Sequence, residues 1–474
     1  MTSERQLDRP LLFGAPATEH AHELTRAFQE QYFRTLDSRP VAPVVDRSAL
    51  RALTSGCLPD DGTPLDVLYD ELERTIVPNC THTAHPRFIP YVQPSPNGLM
   101  PFADAVIATL NQNCNLWTLS PAANAIEQVV IRWFGELFGI AGASGLLTSG
   151  GSAANFIALA AARDRTLGPD ARTRGLQGRN SPLTLYASDQ THSSIPKAVA
   201  MLGLGTDSLR IVESDGACRI RLDRLESAIA ADLLAGATPF CVVGNAGTVT
   251  TGAVDPIHEL AALARTHGMW LHVDGAYGAL TALSPRFRPL MEDLRLADSL
   301  SLDPHKFLFC SFDAGCVLVR QRSDLLRSFA TNPTYLSMPS DDDFIDYANY
   351  GPQLSRSFRA LKVWWSLRHF GRRAYAEVIE SMADLALQMA RDVEQQTQLE
   401  ALCPVTLNCF CFRRKDLDDA GNLRVLDELT RSGFALLGPA RVHGVTGLRA
   451  CFMNLRTRPS DVSQIVERIA RMVV

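Results

Sequence analysis

Two short runs carry the clearest chemical signal in this sequence: Leu-His-Val-Asp-Gly-Ala-Tyr-Gly, where Asp274 directly follows an apolar strand, and Ser-Leu-Asp-Pro-His-Lys, which ends at Lys306. Both residues are expected at strand ends, where ligands gather in open α/β sheets. A lysine amine so placed can form a Schiff base, and a carboxylate can keep a pyridinium nitrogen protonated so that the ring accepts electrons from a carbanion. Those are the two requirements of pyridoxal 5′-phosphate (PLP). Either residue alone reads more simply as an N-cap aspartate or a surface lysine, so the assignment depends on what accompanies them.

Two further elements do. Residues 146–155, Leu-Leu-Thr-Ser-Gly-Gly-Ser-Ala-Ala-Asn, form a glycine-rich turn feeding an alanine-rich helix. Gly151 lets the backbone approach a ligand closely, and free N–H groups with Ser152 at the helix start suit a phosphate. His192, in Tyr-Ala-Ser-Asp-Gln-Thr-His, follows another strand end, where an imidazole can stack on a flat ring and pass protons near neutral pH. Neither signal is specific by itself: small-residue turns commonly begin helices, and a lone histidine is more often structural.

These groups need a scaffold that gathers strand ends. Short apolar runs at 183–187, 209–212, 240–244, 270–273 and 316–319 alternate with helical segments, which argues for an α/β architecture with a mostly parallel sheet and helices on both faces. Within it, Asp255 suits an N-cap, Pro256 a first helical turn and Gly268 the stop. From Pro121, the spacing of Ile126, Val129, Val130, Trp133, Phe134 and Leu137 predicts an amphipathic helix ending at Gly139. Residues 19–36 predict a helix ahead of Pro40 and Pro43, in an N-terminal arm too short to fold alone. After Lys362 comes a long helix with Val363, Trp364, Leu367 and Phe370 on one side, then strands near 405–412 and 448–453 and a last helix from Asp461. The expected division is an arm (1–84), a large domain (85–360) and a small C-terminal α+β domain (361–474).

With 474 residues and 46% hydrophobic content, the chain can bury a large core with a smaller satellite. A net charge of -5, with 46 Lys and Arg scattered along the chain, disfavours nucleic-acid binding. The mixed charges of the first ten residues have no apolar run behind them, so neither a secretory signal nor a membrane span is expected, and the cytoplasm is the expected compartment. The 11 cysteines include no Cys-x-x-Cys pair and read as free thiols. Cys409 and Cys411 alternate with Phe410 and Phe412 as small buried apolar residues, with no histidine or further cysteine at metal-ligand spacing.

The order of glycine-rich turn, Ser-Asp-Gln-x-His-Ser-Ser, Asn-Ala-Gly-Thr, His-Val-Asp-x-Ala-Tyr-Gly and Asp-Pro-His-Lys resembles the group II PLP-dependent amino acid decarboxylases, over about residues 85–456. The resemblance implies the type I fold of PLP-dependent enzymes. It also implies that Lys306 is the imine-forming lysine, that Asp274 partners the pyridine nitrogen and that His192 stacks on the ring. Gly151 and Ser152 would hold the phosphate, His305 would lie beside the lysine near that phosphate, and Asn245 and Ala276 would line the ring. Tyr335, in Asn-Pro-Thr-Tyr-Leu, corresponds to a tyrosine of the family's mobile loop, here 331–350, that protonates the substrate carbon after carbon dioxide leaves. Lid and active site come from different subunits in this family, so an obligate homodimer is implied. Arg356, in Leu-Ser-Arg-Ser-Phe-Arg, is a candidate for meeting the substrate carboxylate, or else a surface ion pair.

The chain departs from the family pattern in places. Ala153 stands where an acidic residue is common, and Gly275 replaces an alanine; neither change removes a reacting group. Asn113 and Asn115 occupy positions that give apolar contacts in the aromatic decarboxylases. Amides beside an apolar ring would be left unpaired at about 1–3 kcal/mol each, which points to a polar or unusual substrate side chain unless both only satisfy nearby backbone.

The implied reaction is decarboxylation of an L-amino acid to its amine. On the same scaffold oxygen could instead oxidise the carbanionic state, giving an aldehyde and ammonia; Tyr335 and His192 favour the amine, because relatives that form aldehydes often lack one of them. Transamination and β-elimination are further alternatives. A catalytically dead binding protein is disfavoured because the Lys306 and Asp274 positions are both filled.

Overall fold

The computed structural model describes residues 11–331 and 345–473. The apolar runs become strands of a seven-stranded sheet: β1 (Ser144–Thr148), β2 (Leu183–Ser188), β3 (Leu209–Val212), β4 (Thr238–Asn245), β5 (Trp270–Asp274), β6 (Ser299–Leu302) and β7 (Gly315–Val319), in the order β1-β7-β6-β5-β4-β2-β3. β3, β2, β4, β5 and β6 run parallel, while β7 is antiparallel to both β6 and β1. Alternate residues enter different buried clusters: Leu185, Val243 and Trp270 pack into one, Tyr186, Val242 and Leu271 into another. Helices therefore cover both faces, which is why these strands read as continuous apolar runs. Like β6, β1 is an addition to the runs picked from sequence. It needs its glycine, since a Cβ on Gly145 would lie 2.2 Å from the Val317 carbonyl oxygen.

The helix Pro121–Phe138 stops as predicted, with Gly139 left-handed at φ 66°. Asp255 departs from expectation. The helix after it is Ile257–Thr266, which no side chain caps. The Asp255 carboxylate instead accepts hydrogen bonds from the N–H groups of Ile220 and Asn245 and from Asn245 Nδ2, fixing the end of β4. Burial raises its pKa to about 6.

The long helix Arg359–Glu394 bends at Gly371 (φ 72°) and leads into an antiparallel sheet of β8 (Leu399–Ala401), β9 (Cys409–Arg414), β10 (Gly438–Val442) and β11 (Val445–Cys451), in the order β10-β11-β9-β8. One buried cluster runs from Phe134 and Leu271 through Met382 to Phe410 and Ile465, so the two sheets share a core. The helix Ala15–Thr35 buries none of its residues. Among the described residues no helix is long and apolar enough to cross a membrane, and all 11 cysteines are free thiols.

Candidate active site

The strand ends converge on a cavity of about 350 Å³. Four chain segments supply the expected residues to it: Gly151 and Ser152 after β1, His192 after β2, Asn245 at the end of β4, and Asp274 with Ala276 from β5. A fifth, the short helix Pro304–Phe307 after β6, brings His305 and Lys306.

Strand register explains the carboxylate. The two-residue period of β5 puts His272 and Asp274 on one side, opposite Ser299 and Ser301 of β6. Asp274 Oδ1 accepts from Ser301 Oγ and the Ala276 N–H, each at 3.1 Å, and Oδ2 accepts from Asn155 Nδ2 at 2.8 Å. Three donors thus converge on a buried, acceptor-only carboxylate.

Lys306 Nζ lies 2.9 Å from the carboxylate of Asp303, which is 2% exposed and whose Oδ1 has no hydrogen-bond partner among the described residues. His305 Nδ1 accepts the Ala314 N–H, its ring packs 4.7 Å from that of Phe312, and burial lowers its pKa. Burial likewise lowers the pKa of His192, with Asp274 opposing the shift and Lys306 adding to it.

The helix Gly151–Leu167 opens on the cavity with no side chain capping it. Its first N–H groups are therefore available to an anion. The turn is close-packed as well: a Cβ on Gly151 would stand 2.7 Å from Ala276 Cβ and 3.1 Å from Asp303 Oδ2, and one on Gly315 would stand 2.4 Å from Gly150 Cα. An uncapped helix start, an amine, an acceptor carboxylate and an imidazole around one cavity fit the phosphate, aldehyde, ring nitrogen and ring face of PLP.

Three expected substrate contacts are corrected. Arg356 is neither a surface ion pair nor free for a substrate: its guanidinium, 1% exposed, pairs with the equally buried Glu127 and donates to the carbonyls of Cys114 (2.7 Å) and Leu147 (3.0 Å). Asn113 Oδ1 accepts the Arg356 N–H and Asn115 Oδ1 accepts the Leu116 N–H, so both amide oxygens are taken up by backbone, and within one protomer neither side chain lines the cavity. Tyr335 lies outside the described residues. The expected lid of 331–350 is also too long, because Tyr347 and Tyr350 are each 1% exposed in a core cluster.

Sequence reasoning missed Asn155, Ser194, His272 and Asp303. The signals were present: His272 stands two residues before Asp274 on the same strand, and Asn155 is a polar residue one turn into an alanine-rich helix.

Residues 48–415 match the model of the pyridoxal-dependent decarboxylase conserved domain. The chain is 34% identical over 445 residues to an aromatic-L-amino-acid decarboxylase of Bacillus atrophaeus, covering 92% of this chain and 91% of that protein. It is 29% identical to a 4-hydroxyphenylacetaldehyde synthase of Rhodiola rosea over 94% of each chain. The crystal structure of Oryza sativa TDC with PLP and tryptamine superposes with a TM-score of 0.91 at 27% identity, over 98% of this chain and 99% of that one.

Proposed function

The chain belongs to the pyridoxal-dependent decarboxylase family and has its PLP-dependent type I fold, and from that premise we propose that it converts an L-amino acid with an aromatic side chain to the amine and carbon dioxide. The observation that carries the reading is the meeting of Lys306, Asp274, His192 and the uncapped glycine turn around one cavity. PLP, when bound, supplies an electron sink for the bonding pair that carbon dioxide leaves behind.

In this reading Lys306 would hold the cofactor through its amine until the substrate amine takes that place. Gly151 and Ser152 would hold the phosphate through the helix start, with His305 beside them. Asp274, held by its three donors, would accept a hydrogen bond from the ring nitrogen and so keep it protonated. His192 would pack on the ring face, Asn245 and Ala276 would line its edges, and Tyr335 would return a proton to the substrate Cα.

The aromatic assignment rests on two points. The amide oxygens of Asn113 and Asn115 are taken up by backbone N–H groups, which weakens the physical case for a polar side chain, and Val92, Val249 and Phe312 give the cavity apolar walls. The relative of 34% identity is itself named for aromatic amino acids. A second reading, oxidative formation of an aldehyde, is supported by the Rhodiola relative.

The arm 1–84, with exposed Phe13, Phe33, Val44 and Leu58, would pack on a second subunit in an obligate homodimer, beside a large domain of 85–360 and a small one of 361–474. Free thiols at every cysteine suit a reducing compartment, and the cytoplasm is the compartment we favour.

The test incubates purified holoenzyme with a panel of L-amino acids and assays carbon dioxide, peroxide and the organic product by mass. Amine without peroxide from an aromatic substrate supports the proposal; aldehyde with peroxide moves it to the second reading, and turnover of polar amino acids alone refutes the substrate class.

A further inference from the structure

Asn155 is 1% exposed, and both ends of its amide are engaged. Its Nδ2 donates to Asp274 Oδ2 (2.8 Å) and to Ser194 Oγ (2.9 Å), and its Oδ1 accepts from His272 Nε2 (3.0 Å). The reversed amide would set Oδ1 against a carboxylate, so this orientation is fixed. The far end of the chain of bonds agrees with it. Trp270 Nε1 can only donate, and does so to Ser299 Oγ (2.7 Å). Because Asn155 Oδ1 can only accept, the neutral His272 ring carries its proton on Nε2 and presents Nδ1 to the Ser299 hydroxyl, which donates to it (2.9 Å). Burial lowers the His272 pKa to about 4, consistent with a neutral ring.

The order continues to the second site histidine. The Ser194 backbone N–H donates to His192 Nδ1 (3.2 Å), which makes that nitrogen an acceptor, and the Ser194 hydroxyl, whose oxygen accepts from Asn155, gives its own proton to the same nitrogen (2.9 Å). His192 therefore carries its proton on Nε2, and a second proton on Nδ1 would meet two donors head-on. We infer that Asn155 is a positioning residue that orders both site groups at once, holding Asp274 as an acceptor and His192 as the neutral Nε2–H tautomer. The charges facing His192 are Asp274 from β5, Asp303 and Lys306 from the segment after β6, and Lys197 from the helix Ser194–Met201 that follows it. The inference rests on reading Asp274 and His192 as cofactor-facing groups, although its readout does not depend on turnover.

The test is Asn155→Asp in the full-length protein. This change keeps the acceptor for His272 but removes both donated bonds. The Ser194 hydroxyl then turns to the new carboxylate, and its oxygen accepts a hydrogen bond from a proton held on His192 Nδ1. The His192 titration midpoint, followed by NMR of ¹³C-histidine-labelled protein and assigned with His192→Gln, should rise by about one unit or more, a tenfold shift in the proton equilibrium. PLP affinity, read from an absorbance titration, should fall by at least about tenfold, because Asp274 then faces a second carboxylate. Ser194→Ala, which cuts only the link from Asn155 to His192, should also raise the His192 midpoint, and it decides the matter alone if Asn155→Asp does not fold. An unchanged His192 midpoint in folded protein overturns the inference. Failure of the wild-type protein to bind PLP would instead refute the decarboxylase reading and leave the titration result standing.

Discussion

Replacing Arg356 by methionine separates its two possible roles. Its guanidinium is 1% exposed and faces Glu127, also 1% exposed, and Glu127 Oε1 further accepts the Leu147 N–H at 2.8 Å. Methionine would fill much of the volume while leaving a buried carboxylate without its cation and the carbonyls of Cys114 and Leu147 without a donor. Breaking one partner of a buried pair costs about 3–5 kcal/mol. In a chain of this length that corresponds to a fall of about 3–5 °C in Tm, since unfolding entropy grows with residue number. Scanning calorimetry at one fixed rate measures it, with the half-life at constant temperature as a second readout because large chains often unfold irreversibly. Glu127→Gln in the same protein should recover part of the loss, giving a coupling energy of about 0.5–3 kcal/mol in a double-mutant cycle. The KM for the amino acid should change little in the variant that folds. A KM raised more than about tenfold with Tm unchanged would refute the reasoning and return Arg356 to the substrate carboxylate.

Other outcomes follow from the same geometry. Gly151→Val should abolish the PLP absorbance band while circular dichroism stays native, because the first added carbon already stands 2.7 Å from Ala276 Cβ; normal cofactor uptake would contradict the cradle. His85 is fully buried, and burial lowers its pKa from 6.5 to about 4. The unfolded chain takes up that proton first, so the stability His85 contributes is present above pH 6.5 and lost as pH falls toward about 4. His85→Asn, which offers an oxygen to the Arg87 N–H that now donates to His85 Nδ1, should flatten the slope of Tm against pH in that window, and an unchanged slope would assign the acid lability elsewhere. Asp255, raised to about 6, acts in the opposite sense, its buried charge being relieved as pH falls. Tyr335→Phe should retain PLP but slow amine release by about 10²–10⁴, the usual contribution of a positioned acid, and wild-type amine production would remove Tyr335 from the reaction.

What was legible in the sequence was the chemistry that depends on residue type at a strand end. Asp274, Lys306, His192 and the glycine turn announced themselves because an α/β sheet delivers strand ends to one place whatever the intervening helices do. What was not legible depended on partners distant along the chain. Arg356 read as available because its neighbours in sequence are small and polar, whereas Glu127, far earlier in the chain, neutralises it in the core. Asp255 looked like a helix cap for the same reason; its carboxylate turns back to Asn245 and Ile220. Asn155 shows the converse. Its significance comes from β5 and β6 lying side by side, a pairing that places His272 opposite Ser299 and Asp274 opposite Ser301 beneath the helix that carries it.

The central claim is that Lys306 holds PLP in the cavity walled by Asp274 and His192. Borohydride reduction of the purified protein with PLP, followed by protease digestion and mass spectrometry, tests it directly. The phosphopyridoxyl mass should fall on the peptide containing Lys306 and be absent from Lys306→Ala. Labelling of another lysine, or equal labelling in that variant, would contradict it.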